Sequence, residues 1–280
     1  MLSETFSASL PFPSVCKDGP IGIFDSGLGG LTVLAALRAR LPMEDCLYFA
    51  DTRFLPYGNR SEAFILSRSR AITAALAERG AKLIVIACNT ATAAAAEAVR
   101  ASTHLPVVAL EPAVKPAVAL TRSGVVGVLA TTRTLASERF QKLVRAHAHG
   151  VRILPQPCPG LAEAIEAEGP ESPGVNALLD LYVPPLAEAR ADVVVLGCTH
   201  YPWVKAGIAA RLPADTRLVD TGEAVARQVA RRLPEASHPH PDEGNTSGQL
   251  RIATSGAPEA VRRAVGSLHG TCPPVEFWDF

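Results

Sequence analysis

The chain of 280 residues carries 27 basic and 27 acidic side chains, so its formal net charge at pH 7 is zero. This balance, together with an aromatic content of only 5%, argues against the broad basic surface of a nucleic-acid-binding protein. Hydrophobic residues make up 48% of the chain, yet no apolar run approaches the ~18 residues of a membrane span, so we expect a soluble protein without a membrane partner.

The amino-terminal segment and the cysteines indicate a cytoplasmic protein. Lys17 is the only basic residue among the first twenty, and Pro11 and Pro13 interrupt their apolar content, so residues 1–20 are predicted to form a loose tail and not a cleavable signal peptide. The six cysteines are far apart and never form a C-x-x-C pair, which argues against a disulfide framework and against a zinc site. We expect reduced thiols and no metal at positions 16, 46, 88, 158, 198 and 272.

In chain order, the first unit is predicted to alternate strands with helices. A short strand leads into the glycine-rich turn 25–30 and then into a helix that stops before Pro42, because proline cannot continue a helix. Ser61 fits the N-cap of a helix over 62–79, and Gly80 fits its end. The predicted strands are 21–24, Cys46–Ala50, 83–87 and 105–110, and an alanine-rich helix follows the third.

A second unit repeats this order after Glu111-Pro112 and Lys115-Pro116, which mark a crossing between lobes. Its strands are predicted at Val125–Ala130, 151–154 and Val193–Leu196, with one helix over 175–190. The last predicted strands are Arg217–Val219, Leu250–Thr254 and Val275–Phe277, with a helix through Arg232 after the first of them and another helix before the last. This alternation predicts an α/β fold with two pseudo-symmetric lobes, each a mostly parallel sheet flanked by helices.

Each unit places a cysteine at the end of a buried strand. Cys88 follows one apolar run and Cys198 follows another, and the chain from Asp25 to Cys88 is nearly as long as the chain from Thr131 to Cys198. Open α/β sheets bind their ligands beside the carboxyl ends of the strands. We therefore expect both thiols to face one cleft between the lobes.

Two thiols on opposite sides of a cleft suit the inversion of a carbon stereocentre. One base removes the proton of an acidic C–H, and a second group delivers a proton to the other face. The amino end of a helix after each cysteine is expected to lower the thiol pKa from its free value of about 8.5. Asp25 is the natural partner of Cys88, and His200 is that of Cys198.

The glycine-rich segment 25–30 does not match a nucleotide-binding loop. Thr32 stands where the third glycine of G-x-G-x-x-G belongs, and Asp25 would place a negative charge beside any phosphate. We interpret the segment as a strand-to-helix turn that presents a carboxylate to the same cleft as Cys88.

Four motifs, in this order along the chain, resemble those of the glutamate racemase family, cofactor-independent enzymes that make D-glutamate for bacterial peptidoglycan. They are Phe24-Asp25-Ser26-Gly27-Leu28-Gly29-Gly30, Asp51-Thr52 with Pro56-Tyr57-Gly58, Ala87-Cys88-Asn89-Thr90-Ala91 and Gly197-Cys198-Thr199-His200-Tyr201-Pro202. The likeness runs from about Ile21 to the end. Ala50, where many members have glycine, and the segment 53–55 are small departures that remove no functional group.

The resemblance implies a complete set of site residues. Cys88 would take the proton from D-glutamate and Cys198 from L-glutamate. Asp25 would assist Cys88, His200 would assist Cys198, and Glu166 matches a further assisting carboxylate. Asp51 matches a carboxylate near the substrate ammonium. The implied substrate-binding residues are Asp25, Ser26, Asp51, Pro56, Tyr57, Gly58, Asn89, Thr90, Thr131, Thr134, Thr199 and His200. No cofactor and no metal are implied.

The resemblance also implies the domain organisation and the partners. Residues 21–111 and 215–280 would form lobe one, and residues 112–214 would form lobe two. The expected substrate is glutamate, used in cell wall synthesis. The residues before Ile21 resemble the extension of the proteobacterial type, which a peptidoglycan precursor activates. The oligomeric state stays open, with a homodimer as one candidate.

Three alternatives remain. In aspartate racemases the segments at the two thiols resemble Cys-Asn-Thr-Ala-His and Cys-Thr-Glu. This chain has Thr92 in place of that histidine and His200 in place of that glutamate, which favours glutamate as the substrate. A cysteine hydrolase would need one nucleophile with a histidine base and an oxyanion hole, and it would leave the second cysteine unexplained. A non-catalytic amino-acid-binding module predicts that the Cys88→Ala and Cys198→Ala variants behave alike.

Overall fold

The computed structural model describes residues 19–233, 247–269 and 272–280, with side chains from 267 to 269 excepted. The predicted tail over 1–20 and Cys16 lie outside these residues, apart from the last two positions of the tail.

Within the described residues, ten parallel strands form two separate sheets. The first sheet has the order β10-β9-β2-β1-β3-β4 and the second has the order β6-β5-β7-β8. The strands are β1 Ile21–Asp25, β2 Cys46–Ala50, β3 Leu83–Ile86, β4 Val107–Ala109, β5 Val125–Ala130, β6 Arg152–Pro157, β7 Val193–Leu196, β8 Arg217–Val219, β9 Leu250–Thr254 and β10 Val275–Phe277. The predicted α/β class with two lobes is confirmed.

Helices connect the strands and cover the sheets. They are α1 Leu31–Arg40, α2 Glu62–Glu78, α3 Asn89–Ser102, α4 Val114–Leu120, α5 Thr132–Ala136, α6 Glu138–His147, α7 Leu161–Glu168, α8 Pro173–Tyr182, α9 Pro184–Glu188, α10 Lys205–Ala209, α11 Gly222–Arg232 and α12 Pro258–His269. Short 3-10 turns lie at Thr52–Phe54, Tyr57–Asn59 and Tyr201–Val204. No helix among the described residues is long and apolar enough to cross a membrane.

The central strands are apolar throughout because helices cover both of their faces. On one face of the first sheet Ile23 packs with Val85, and on the other face Phe24 packs with Ile86, and all four side chains are fully buried. The second sheet has the same two-sided core. This arrangement leaves only the ends of the strands free for polar side chains.

Two helix predictions are wrong. The single helix expected over 175–190 is divided into α8 and α9, because Pro184 and Pro185 have no backbone N–H to continue the helical hydrogen bonds. The helix expected directly after Cys198 begins as the 3-10 turn Tyr201–Val204, and only the five-residue α10 follows it.

The path between the lobes differs in one detail from the predicted domains. The boundary after residue 214 assigns Arg217–Val219 to lobe one, whereas β8 is hydrogen-bonded to β7 in the second sheet. The chain returns to the first sheet after β8, through α11, which packs against α1. The other predicted boundaries stay a prediction.

Candidate active site

The carboxyl ends of the strands of both sheets meet at one cleft. In the first sheet Asp25 ends β1 and Cys88 follows β3. Because Phe24 pairs with Ile86 in the parallel register, Asp25 and Cys88 lie at the same edge of the sheet. In the second sheet Thr131 follows β5 and Cys198 follows β7 by the same logic. Both thiols line one pocket, as expected for two parallel sheets that face each other.

Cys88 lies among hydrogen-bond donors at the start of α3. Its Sγ accepts a hydrogen bond from the Ala91 N–H at 3.5 Å, as the N-cap of the helix, and lies 3.5 Å from Ser26 Oγ. The Ser26 hydroxyl also lies 3.4 Å from Asp25 Oδ1. Asp25 is fully buried and accepts hydrogen bonds at 2.7 Å from the N–H groups of Ser26 and Gly30. Ser26 thus lies between the carboxylate and the thiol.

The expected low pKa at Cys88 is wrong. Burial raises the pKa of this thiol well above its ordinary value, and the negative charge of Asp25 raises it further. The hydrogen bonds from Ser26 and Ala91 act in the opposite direction but do not outweigh these effects. Burial also raises the pKa of Asp25, although the positive charge of His200 acts to lower it. The resting Cys88 is therefore a neutral thiol.

Cys198 begins a chain of contacts that crosses to the other lobe. Its Sγ lies 3.5 Å from His200 Nδ1, and His200 Nε2 lies 2.5 Å from Glu166 Oε1. The Leu28 N–H, in the turn after β1, donates to the same Glu166 oxygen at 2.5 Å. Burial opposes the charged imidazole, but the contacts with Cys198 and then Glu166 raise the pKa of His200 well above its ordinary value. His200 is therefore the cation of the site.

Two glycines permit this close approach of the lobes. A Cβ on Gly29 would lie 2.5 Å from His200 Nδ1 and 2.6 Å from Thr199 Oγ1. A Cβ on Gly27 would collide with the Glu166 carboxylate. The glycine-rich turn thus serves the contact between the lobes.

Most of the predicted substrate-binding residues line the pocket, and three lie behind it. Asp25, Asp51 and Thr134 do not line it. Thr134 Oγ1 accepts a hydrogen bond from the Thr131 hydroxyl at 2.9 Å, and Asp51 is enclosed by Arg68 and Tyr57. The predicted residues that line the pocket are Ser26, Pro56, Tyr57, Gly58, Cys88, Asn89, Thr90, Thr131, Cys198, Thr199 and His200. Glu166 contacts this wall from behind, through His200.

Sequence reasoning missed one wall of the pocket. Cys158, for which the sequence predicts only a reduced thiol, is buried but lines the pocket with Pro159, Gly160 and Glu163. The available signal was its place directly after β6, at the same sheet edge as the catalytic candidates. Burial raises the pKa of Cys158 to about 12, so this thiol is neutral at physiological pH. Among the described residues, no group of three or more His, Cys, Asp and Glu could hold a metal ion.

The chain matches one protein family along most of its length. The sequence model of the Asp/Glu/Hydantoin racemase family matches residues 32–229. A glutamate racemase from Herpetosiphon aurantiacus is 49% identical over 242 residues, which are 86% of this chain and 94% of that protein. A glutamate racemase from Pseudomonas aeruginosa PAO1 is 48% identical over 259 residues, which are 91% of this chain and 96% of that protein.

Solved structures agree with the sequence relatives. Glutamate racemase isoform RacE1 from Bacillus anthracis superposes with a TM-score of 0.84 at 28% identity, over 94% of this chain and 98% of that one. The Escherichia coli glutamate racemase, in complex with L-glutamate and the activator UDP-MurNAc-Ala, superposes with a TM-score of 0.79 at 33% identity, over 92% and 97% of the two chains. The chain therefore belongs to the Asp/Glu/Hydantoin racemase family and is an isomerase, an amino-acid racemase of the glutamate racemase type.

Proposed function

We propose that this protein interconverts L-glutamate and D-glutamate by proton transfer at the α-carbon between two thiols, without a cofactor. One observation carries the proposal: Cys88 and Cys198 come from different sheets, line the same pocket, and each lies beside its own proton-handling groups. These groups are Ser26 and Asp25 for the first thiol, and His200 and Glu166 for the second.

The protonation of the two halves favours a defined resting state. Cys88 is a neutral thiol because it is buried beside Asp25, whereas Cys198 lies 3.5 Å from Nδ1 of His200, whose pKa is raised well above its ordinary value. In the L-to-D direction the Cys198 thiolate takes the α-proton, and the Cys88 thiol donates its proton to the opposite face of the carbanion. The product enzyme then carries a Cys198 thiol and a Cys88 thiolate. Cys198 then releases its proton to solvent and Cys88 takes one up from solvent, so the resting state returns without a net change in protons.

Neutral donors and the amino end of α3 are suited to hold the substrate carboxylates. The pocket wall contains no lysine or arginine among the described residues, and both polar side-chain atoms of Asn89 are buried without a protein partner. Thr90 and Thr199 line the pocket on either side. Backbone N–H groups at a helix amino end bind anions well. We assign the α-carboxylate to this group of donors.

The lobes must separate to admit the substrate. The pocket has a volume of about 50 Å³, room for only a few water molecules at ~10–15 Å³ each. Hydrogen bonds join the lobes at both ends of the cleft. At one end the Leu28 N–H donates to Glu166 and the Thr32 hydroxyl donates to the Thr199 carbonyl. At the other end the hydroxyls of Thr90 and Thr131 are hydrogen-bonded. Glutamate binding thus exchanges these contacts for contacts with the substrate.

The proposed physiological role is the supply of D-glutamate for peptidoglycan in the cytoplasm. The Escherichia coli relative is solved with L-glutamate and UDP-MurNAc-Ala, which supports glutamate as the substrate and a peptidoglycan precursor as an activator of this protein. The proposed catalytic and substrate-binding roles of the residues implied by the family resemblance, including Asp51, belong to the same proposal.

Circular dichroism with L-glutamate and L-aspartate, without pyridoxal phosphate or metal, tests the activity directly. We expect racemisation of glutamate and little of aspartate; the reverse preference would make the protein an aspartate racemase. In deuterated water the product isomer should acquire deuterium at Cα faster than the recovered substrate. Cys88→Ser and Cys198→Ser should each nearly abolish racemisation, whereas Cys272→Ser, away from the pocket, should not. Near-normal turnover in both site variants would contradict the two-thiol mechanism.

A further inference from the structure

An arginine on the buried face of α2 contacts the loop that leads to the substrate pocket but does not line the pocket itself. Arg68 lies between Ile65 and Ile72 along the apolar side of the helix and is itself buried. A guanidinium at a core position requires a partner, because an isolated buried charge is costly. Its partner is Asp51, which directly follows β2 and has no exposed surface.

The Asp51 carboxylate is held on both oxygens. Arg68 Nη2 donates to Asp51 Oδ1 at 2.7 Å and Arg68 Nε donates to Asp51 Oδ2 at 3.0 Å, which is the two-pronged geometry that only arginine provides. The Tyr57 hydroxyl donates to the same Oδ2 at 2.5 Å. Tyr57 lines the substrate pocket and Asp51 does not, so the Tyr57 hydroxyl links Asp51 to the pocket wall.

Arg68 also holds the loop that leads to Tyr57. Its guanidinium carbon lies 4.5 Å from the centre of the Phe54 ring, and its Nη1 donates to the Phe280 carbonyl at 2.5 Å. The nearby Arg60 Nε donates to the Phe54 carbonyl at 3.2 Å. The loop from Asp51 to Tyr57 is therefore fixed on α2 at its start and at its middle.

We propose that Arg68 is a positioning residue for substrate binding, which holds Asp51 so that Asp51 aligns Tyr57 and the pocket wall 56–59. Asp51, which does not itself line the pocket, then acts on the substrate through Tyr57. Burial and the charge of Asp51 raise the pKa of Tyr57, so the phenol stays a donor to Asp51. The inference rests on the proposed racemisation of glutamate.

The Arg68→Lys variant tests this role because lysine keeps the charge but cannot form both hydrogen bonds. We expect KM for glutamate to rise about tenfold and kcat to stay within about twofold, since the reacting thiols are not displaced. Arg70→Lys, at an exposed position of the same helix, should leave both constants unchanged. In a Tyr57→Phe background, Arg68→Lys should raise KM by less than about twofold, because the tyrosine link is already broken. An unchanged KM, or fully additive effects, would overturn the proposal.

Hydrogen exchange provides a readout that does not depend on glutamate. The Asn59 N–H donates to the Pro56 carbonyl and the Arg60 N–H to the Tyr57 carbonyl. Their exchange should be faster in Arg68→Lys than in wild type, without a general increase in the protein. Unchanged exchange, or an increase of equal size in every helix, would refute a positioning role. Failure of the wild-type enzyme to racemise glutamate would instead refute the proposed function, while the exchange data still decide the role of Arg68.

Discussion

Replacing Glu166 by glutamine is expected to lower kcat/KM for both glutamate enantiomers by about thirtyfold. The Glu166 side chain is only 9% exposed, and its Oε1 accepts hydrogen bonds from His200 Nε2 and from the Leu28 N–H, both at 2.5 Å. A hydrogen bond to a charged group contributes about 1.5–3 kcal/mol, and ~2 kcal/mol corresponds to a factor of about 30. The neutral amide also removes a charge that raises the pKa of His200. His200 then loses its proton at a lower pH, and the alkaline fall in kcat/KM shifts to lower pH.

The assay is the initial rate of circular dichroism change with each enantiomer between about pH 6 and 10. Enantiomers have equal free energies in water, so kcat/KM must fall by the same factor in both directions, which provides an internal check. Glu168→Gln, at the exposed end of the same helix, is the matched control. A Glu166→Gln enzyme with kcat/KM within threefold of wild type, or with an unmoved alkaline limb, would refute this role of the carboxylate.

Two further predictions concern the turn between the lobes and the buried core. Gly29→Ala should lower kcat/KM at least about 100-fold, because the new Cβ would lie 2.5 Å from His200 Nδ1. The control Gly266→Ala, whose Cβ meets only open space, should leave kcat/KM unchanged. Normal activity in Gly29→Ala would show that the turn can shift without moving His200. Burial raises the pKa of Cys46 from 9.0 to about 12, so between these pH values the folded protein keeps a proton that the unfolded chain releases. The neutral thiol therefore contributes to the unfolding free energy below about pH 9, and this contribution is lost as the pH rises toward 12. Urea unfolding should show that Cys46→Ala removes about 1.4 kcal/mol per pH unit from the alkaline fall in unfolding free energy; an identical slope would contradict the assignment.

The local patterns of the chain were sufficient to predict the strands and the edge at which the site lies. Uninterrupted apolar runs predict strands buried on both faces, and strands joined by helices are parallel. Asp25, Cys88 and Cys198 each end or follow such a strand, so their arrival at one cleft follows from the alternation alone. The motifs around them carried the resemblance to glutamate racemases.

The partners of these residues come from distant parts of the chain, and local patterns do not reveal them. Glu166 reaches His200 and Leu28 only because the lobes close on the glycine-rich turn. Arg68 sits at an otherwise apolar position of α2, a local signal that something charged is buried there, but its pairing with Asp51 depends on how the helix covers the first sheet.

The sequence by itself determined the α/β class and the place of both thiols at the ends of buried strands. Only the tertiary structure decided how these groups are charged. A helix amino end alone predicts a low pKa at Cys88, yet complete burial beside Asp25 has the larger effect and keeps the thiol protonated. Burial is a property of the packed lobes and not of any segment, which is why the local pattern around Cys88 predicts the wrong direction for its pKa.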